Sequence, residues 1–197
     1  MSTSLAWDER YGAGQGLFGD APNDYLRAQA WRLPPRGRAL SLGDGEGRNG
    51  LFLARHGLRT LSLDWSPVAT ARAAGRHRRL RAETADLTAW TFPDGAFDVV
   101  AWIFLHLPPA DRAVVAAGAV RALRPGGLLV LEGFSPAQQG RRSGGPREAA
   151  LLWTRAAADA AFGALELEEC TEGTVRLDEG PKHQGPAEVL RGVWRRP

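Results

Sequence analysis

The chain holds one cysteine, Cys170, one methionine and a single lysine, Lys182. A lone thiol closes no intramolecular disulfide and builds no multi-thiolate metal site. The four histidines, His56, His77, His106 and His183, are scattered without ligand spacing, so no metal is expected. No apolar run reaches the roughly 18 residues that span a bilayer. The N-terminal MSTSLAWDERYGAG has no basic region followed by an apolar one, so neither a signal peptide nor a membrane partner is expected, and the default compartment is cytoplasmic. Internal repeats and low-complexity linkers are absent. What remains is ordinary: 197 residues with 44% hydrophobic and 24% charged content, enough for one domain with a sizeable core. The net charge of +3 is carried almost wholly by arginine. The densest basic run, Arg72, Arg76, Arg78, Arg79 and Arg81, has no aromatic residue among its charges. It reads as a solvated helix end rather than a nucleic-acid surface.

From Arg38 onward the pattern alternates between short apolar runs and helical stretches. Ala39–Leu42 reads as a buried strand and Asn49–His56 as a helix stopped by Gly57. Leu58–Leu63 is a second strand ending in Asp64, after which Ser66 caps a helix with Pro67 at its first position. Arg81–Ala85 is a weak third strand and Phe97–Ile103 a strong buried one. Pro109–Leu123 is a helix, and Arg124-Pro125-Gly126-Gly127 the turn into strand Leu128–Glu132. A helix near Arg147–Ala161 precedes two β segments, Leu165–Leu177 and Ala187–Trp194. Upstream, Trp7 to Arg32 forms a helical lead-in with Asp20 as a cap and Pro22 in the first turn. Such alternation implies an α/β fold with a mostly parallel sheet and helices on both faces. The short link between the last two segments makes them antiparallel to each other. The expected organisation is one domain over residues 1–197, with 1–37 as an N-terminal helical lid and 38–197 as a Rossmann-like core.

The sequence ALSLGDGEGRNG, from Ala39 to Gly50, joins the first strand to the next helix through a glycine-rich turn. Bare backbone at a helix N-terminus is where a nucleotide-like cofactor lies. Two registers fit. Gly45, Gly47 and Gly50 spell the dinucleotide pattern GxGxxG, which implies an NAD(P)-binding Rossmann oxidoreductase. Gly43, Gly45 and Gly47 form the turn of S-adenosylmethionine methyltransferases. Asp64, 21 residues after Gly43, suits ribose hydroxyls in either case. Asp86, after the third strand, suits the adenine amino group of S-adenosylmethionine.

Further motifs accumulate along the chain: Trp7-Asp8-Glu9-Arg10-Tyr11, Phe18-Gly19, Pro22-Asn23, GDGEGRN, LDWSP, ADL, IFLHLPP, RPGGLLVLEGFSP, SGGP at Ser143–Pro146 and EGPKHQGPAEVLR. In this set and order the chain resembles the small bacterial class I methyltransferases related to the tellurite-resistance group and, more distantly, to thiopurine methyltransferases. The resemblance implies S-adenosyl-L-methionine as cofactor and S-adenosyl-L-homocysteine as product. It also implies a small-molecule acceptor, tellurite, selenite or a thiol, and no nucleic acid. A non-catalytic module that keeps the fold to bind a partner is the other alternative.

The resemblance also distributes roles. Gly43, Gly45 and Gly47 face the methionine part of the cofactor, with Arg48 and Asn49 beside them; for Asn49, helix capping competes. Asp64 and Asp86 are the ribose and adenine contacts, flanked by Trp65, Leu87 and Ile103. Trp7, Arg10 and Tyr11 fold over the site to exclude water, with Arg10 suited to the cofactor carboxylate. The family usually carries an acid two residues before the first glycine. Here that position is Ser41, and Asp44 inside the turn is expected to supply the charge. His106 and His183 lie in loops on the ligand-facing side and are the candidate catalytic bases. The arginines of the loop after Phe134, Arg141 and Arg142, suit an anionic acceptor.

Overall fold

Strand Phe97–Ile103 is buried at every position, as a central parallel strand covered on both faces must be. The computed structural model describes residues 4–14 and 16–197, and around that strand it builds a seven-stranded sheet. The strands are β1 (Gly37–Leu42), β2 (Leu58–Asp64), β3 (Leu80–Thr84), β4 (Phe97–Ile103), β5 (Leu123–Phe134), β6 (Glu166–Asp178) and β7 (Gln184–Arg195), in the order β3-β2-β1-β4-β5-β7-β6. β1 to β5 run parallel; β7 is antiparallel to both β5 and β6, as the short link required.

Alternation along the strands sends side chains into two cores. Leu40, Leu42, Val100, Trp102 and Leu131 pack under α5 (Pro109–Ala122) and α6 (Arg155–Phe162). Ala39, Val99, Ala101 and Val130 meet Leu26 of α2 (Asp24–Ala28) and Leu53 of α3 (Arg48–His56) on the opposite face. α1 (Ser4–Gly12) and α4 (Pro67–Ala73) complete the helices used below. Among the described residues no helix is long and apolar enough to cross a membrane.

Three local expectations need correction. The cap of α2 is Asn23, whose side chain accepts from the Leu26 amide at 2.9 Å, while Asp20 pairs with Arg76 at 3.0 Å and Pro22 precedes the cap. β5 begins at Leu123 rather than Leu128: Leu123 pairs with Phe97 and Leu128 with Val99, so the Arg-Pro-Gly-Gly segment bulges within the strand. The helix expected near 147–161 is split into a 3-10 turn, Ala149–Leu151, and α6. Trp153 is the cause. It is fully buried, packs edge-on to Trp102 at 5.5 Å, and donates its amide to the Phe134 carbonyl at 2.8 Å, which pulls the chain out of the helix. Thr154 then caps α6, accepting from the Ala157 amide at 3.0 Å.

Candidate active site

The connections leave β1 and β4 in opposite directions, so the crevice beyond their C-terminal ends is the topological switch point where ligands bind in open α/β sheets. The glycine turn opens onto it. Gly43, Gly45 and Gly47 have φ of 60°, 56° and 81°, left-handed values that other residues adopt at a cost of about 1–2 kcal/mol. Space is equally tight: a Cβ on Gly43 would lie 2.8 Å from Leu105 Cδ1, and one on Gly45 would collide with the Tyr11 hydroxyl. Gly47 stands at the N-cap of α3 without a side chain, and the acceptor for the first turn comes instead from Asp44, which takes the Gly50 amide at 2.9 Å.

Asp64 closes the turn from β2. Its Oδ2 accepts from the Gly45 amide at 2.7 Å and its Oδ1 from the Ser66 amide at 2.9 Å. Burial pushes its pKa up to about 6, against the pull of those amides. Each oxygen retains a lone pair for a ribose hydroxyl. Trp65 beside it is 44% exposed, a free aromatic face at the rim. Asp86 is exposed and caps its own turn, its Oδ1 accepting from the Thr88 amide at 2.9 Å and hydroxyl at 2.7 Å; its other oxygen is free. Leu87 and Ile103 are buried and belong to the two cores.

Asp44 does not project into the open. Its carboxylate is buried under the turn, accepting from the Gly50 amide at 2.9 Å and from the Ser62 hydroxyl at 2.5 Å. Ser41 lies directly opposite Ser62 in the β1–β2 register. Burial raises the pKa of Asp44 despite these donors, and its Oδ1 has no partner. The acid therefore lies near Ser41, the position where an acid is usual, and ties the turn to β2 and to the first turn of α3 from within.

The lead-in folds back onto this turn. Trp7 stacks on Tyr11 with centroids 5.9 Å apart, and the buried Tyr11 stands over Gly45. Burial and the neighbouring Asp64, Glu46 and Asp44 carboxylates raise the phenol pKa far above its usual value, so it stays a neutral donor. Asp8 accepts from the Ser66 hydroxyl, fastening α1 to the start of α4. Arg10 is exposed and lies over the Trp7 ring at 4.7 Å, so its charge faces solvent rather than the turn.

Arg48 and Asn49 begin α3, but their side chains are engaged elsewhere. Arg48 pairs with Glu179 at 2.6 Å, both buried, and donates to the Ala21 carbonyl at 3.2 Å. Asn49 does not cap the helix; its Oδ1 accepts from the Asn23 amide at 2.9 Å. Asn23, fully buried, donates one amide hydrogen to Glu132 and the other to Glu179 at 2.8 Å. Glu132, in turn, pairs with Arg191 at 2.6 Å. Two carboxylates and two guanidinia thus balance around one amide, as buried charges must. Sequence reasoning missed this network, although its members stand in motifs already singled out: Pro22-Asn23, GDGEGRN, LVLEGF and EGPKHQG.

The network holds the 179–183 loop, and with it His183. The Glu179 amide donates to the His183 carbonyl at 2.9 Å, and the Lys182 amide to the Leu17 carbonyl at 3.2 Å. The imidazole is buried inside an aromatic cage, with Phe104 at 4.6 Å, Phe18 at 4.7 Å and Phe134 at 5.3 Å between centroids. Burial, then Arg48 and His106, push its pKa down to about 3, and its Nδ1 has no hydrogen-bond partner. His106 stacks on Phe134; its Nδ1 lies 3.1 Å from the Leu151 carbonyl and its Nε2 accepts from the Phe134 amide at 3.4 Å. Burial pushes its pKa down to about 4. Both histidines are therefore neutral at pH 7. Phe104, at the end of β4, has φ of 50°, a strained value for a non-glycine residue. Arg141 is neutralised by Glu188, and Arg142 is exposed.

The sheet order, the glycine turn and the β2 carboxylate define a Rossmann-like fold of the class I methyltransferase type. Residues 39–127 match a family model described as a methyltransferase domain. The chain is 35% identical over 109 residues to the demethylmenaquinone methyltransferase of Thermus thermophilus, covering 52% of this chain and 50% of that protein. The chain thus spans about half the length of the curated relatives it matches. Among solved structures, N-methyltransferase NodS from Bradyrhizobium japonicum, in complex with S-adenosyl-L-homocysteine, superposes with a TM-score of 0.72 at 19% identity over 100% of both chains. A TehB-like methyltransferase from Corynebacterium glutamicum superposes with a TM-score of 0.64 at 23% identity over 98% of both. At these identities the structures establish the fold alone.

Proposed function

We propose that the protein is an S-adenosylmethionine-dependent methyltransferase acting on a small molecule. The observation that carries this reading is Asp64, fixed by the Gly45 and Ser66 amides at the end of β2 with lone pairs left for a ribose. The residues fit the cofactor: three left-handed glycines present bare backbone to the crevice, and the first turn of α3 follows them. Trp65, exposed beside Asp64, and Asp86, with one free carboxylate oxygen, are the proposed adenine contacts. When bound, the cofactor supplies a methyl group already activated by a positively charged sulfur, so the protein's work is positioning and exclusion of water. Tyr11 and Trp7 cover the turn, and the faces of Phe18, Phe104 and Phe134 suit a cationic centre.

The acceptor is a soft, uncharged nucleophile, a thiol in preference to tellurite or selenite. An oxyanion entering a cage of phenyl rings and neutral imidazoles loses its hydration, and among the described residues no cation lies over the Phe18, Phe104 or Phe134 rings to replace it. Arg48, the cation next to His183, is already paired with Glu179. With a pKa near 3, His183 is a poor base and instead orients the acceptor through Nδ1. The thiol proton leaves to water as its sulfur takes the methyl group.

An acceptor screen reading release of S-adenosylhomocysteine tests this. It includes thiols, tellurite, selenite, small carboxylates and a quinol, the acceptor type suggested by the Thermus relative. A thiol is expected to turn over at least about tenfold faster than either oxyanion, and His183→Ala to lower that rate by a further factor of about ten, the worth of one oriented hydrogen bond. Faster turnover of tellurite would overturn the acceptor class. Binding of S-adenosylhomocysteine without turnover of any acceptor would favour a non-catalytic module.

A further inference from the structure

Of the basic run read from the sequence as a solvated helix end, Arg72 lies in the last turn of α4 and the other arginines lie beyond it. α4 ends at Ala73, and Arg78, Arg79 and Arg81 lie in the approach to β3 and on the strand itself. Arg38 of β1 is directly opposite Arg59 of β2 in the parallel register. Arg79 continues the row, since its carbonyl accepts from the Thr60 amide at 2.8 Å. Three arginines therefore stand side by side on three neighbouring strands, spaced by roughly 4.8 Å. Together with Arg78 and Arg81 they line a groove of about 840 Å³. The groove is at the N-terminal end of the sheet, whereas the glycine turn is at the C-terminal end, five residues and about 16 Å further along β1.

Like charges directly opposite on neighbouring strands destabilise a sheet. Here that repulsion is not relieved. Glu83 is the one acid lining the groove, and it pairs with Arg81 at 2.5 Å. Asp98, near its floor, is held by Arg124 and by the Arg38 amide at 2.7 Å. Among the described residues no carboxylate pairs with the Arg38, Arg59 or Arg78 side chains. Arg79 is steered by its own bond to the Gly57 carbonyl at 3.1 Å, and Arg38 lies over the Phe97 ring at 5.4 Å, so two of the guanidinia are oriented rather than free.

We propose that this groove is a second ligand site, separate from the methyl-transfer crevice, for a small molecule bearing several linked phosphates. Guanidinium forks match phosphate oxygens bidentately, and a row of them matches a ligand with charges in sequence. Single-stranded nucleic acid fits it poorly, because bases need exposed aromatic platforms. Phe97, the aromatic residue lining the groove, is 1% exposed.

Calorimetric titration of the full chain with sodium tripolyphosphate at physiological salt tests the site. Saturable one-to-one binding is expected, weakened at least about tenfold in the Arg38→Gln/Arg59→Gln variant, which removes two charge-assisted contacts. Arg78→Gln, at an exposed loop position, should weaken it several-fold, and Arg155→Gln, on α6, should leave it unchanged. Retained S-adenosylhomocysteine binding by the double variant reports an intact fold. Absence of saturable binding, or equal affinity in the groove variants, overturns the proposal. So does a single-stranded oligonucleotide that binds through these arginines while tripolyphosphate does not.

Discussion

Replacing Asp64 with alanine is expected to weaken S-adenosylhomocysteine binding by at least about a hundredfold. Two charge-assisted hydrogen bonds to the ribose, at about 1.5–3 kcal/mol each, set that scale. The same carboxylate also shapes the turn through the Gly45 amide, so its loss acts twice. A pH dependence follows. Ribose hydroxyls donate to the ionised acid, so affinity rises as pH increases through about 6, the value to which burial pushes Asp64, and levels off above it. Stability of the unliganded protein moves the other way. An acid whose folded pKa is raised favours folding when protonated, and that contribution is lost as pH climbs from the unfolded value, about 4, through 6. Calorimetric titrations between about pH 5 and 8 check the affinity, and urea melts of the unliganded protein between about pH 4 and 7 check the stability; a pH-independent affinity that Asp64→Asn leaves unchanged would assign the ribose to another group.

Glu179→Ala should cost the fold about 3–5 kcal/mol, the penalty for leaving a buried guanidinium without its partner. For a chain of this size that is a fall in melting temperature of roughly 10 °C or more. The loss falls on Arg48, paired at 2.6 Å, and on Asn23, whose amide reaches Glu179 at 2.8 Å. Removing both charges together is milder than removing one, because well-packed apolar pairs replace buried ion pairs at little cost. The Arg48→Met/Glu179→Met variant should therefore recover a good part of the lost stability. Thermal and urea melts read the difference; a single variant that loses less than about 1 kcal/mol would make the pair an incidental contact.

The contrast between these two residues shows what the sequence makes legible. Asp64 follows a clean apolar strand at the expected spacing from Gly43, so pattern and spacing alone place it in the crevice. The same is true of β1, β2, β4, α3 and the Ser66 cap, where local pattern and global fold agree. Glu179 acts through Arg48, 131 positions away, and through Asn23, 156 positions away. Each of its motifs is visible in the chain, but no local rule says which motifs meet. Trp153 illustrates a related gap. Helical periodicity continues through it, and only the pocket formed by Trp102 and Phe162 makes an extended backbone the better choice there. The arginine run shows the same effect on the surface: neighbours in sequence look like a solvated helix, whereas the register of β1 and β2 brings Arg38 and Arg59 alongside them.

Asp44 sharpens the reading of the turn. An acid inside the glycine motif suggests a charge offered to the cofactor, yet its carboxylate lies beneath the loop with Ser41, Ser62 and the Gly50 amide. Its effect on the cofactor therefore passes through the backbone it holds. The catalytic side is recast in a similar way. His106 and His183 sit in the loops expected of them, but burial pushes their pKa values down to about 4 and about 3, which makes both weak bases.

The central claim is that the turn after β1 holds S-adenosylmethionine, and one comparison tests it most directly. S-adenosylhomocysteine and NAD are each titrated calorimetrically into the wild-type protein at neutral pH. The account predicts saturable one-to-one binding of S-adenosylhomocysteine and none of NAD. Saturable binding of NAD, with no S-adenosylhomocysteine binding up to about 1 mM, where affinity falls to roughly 4 kcal/mol, would contradict it.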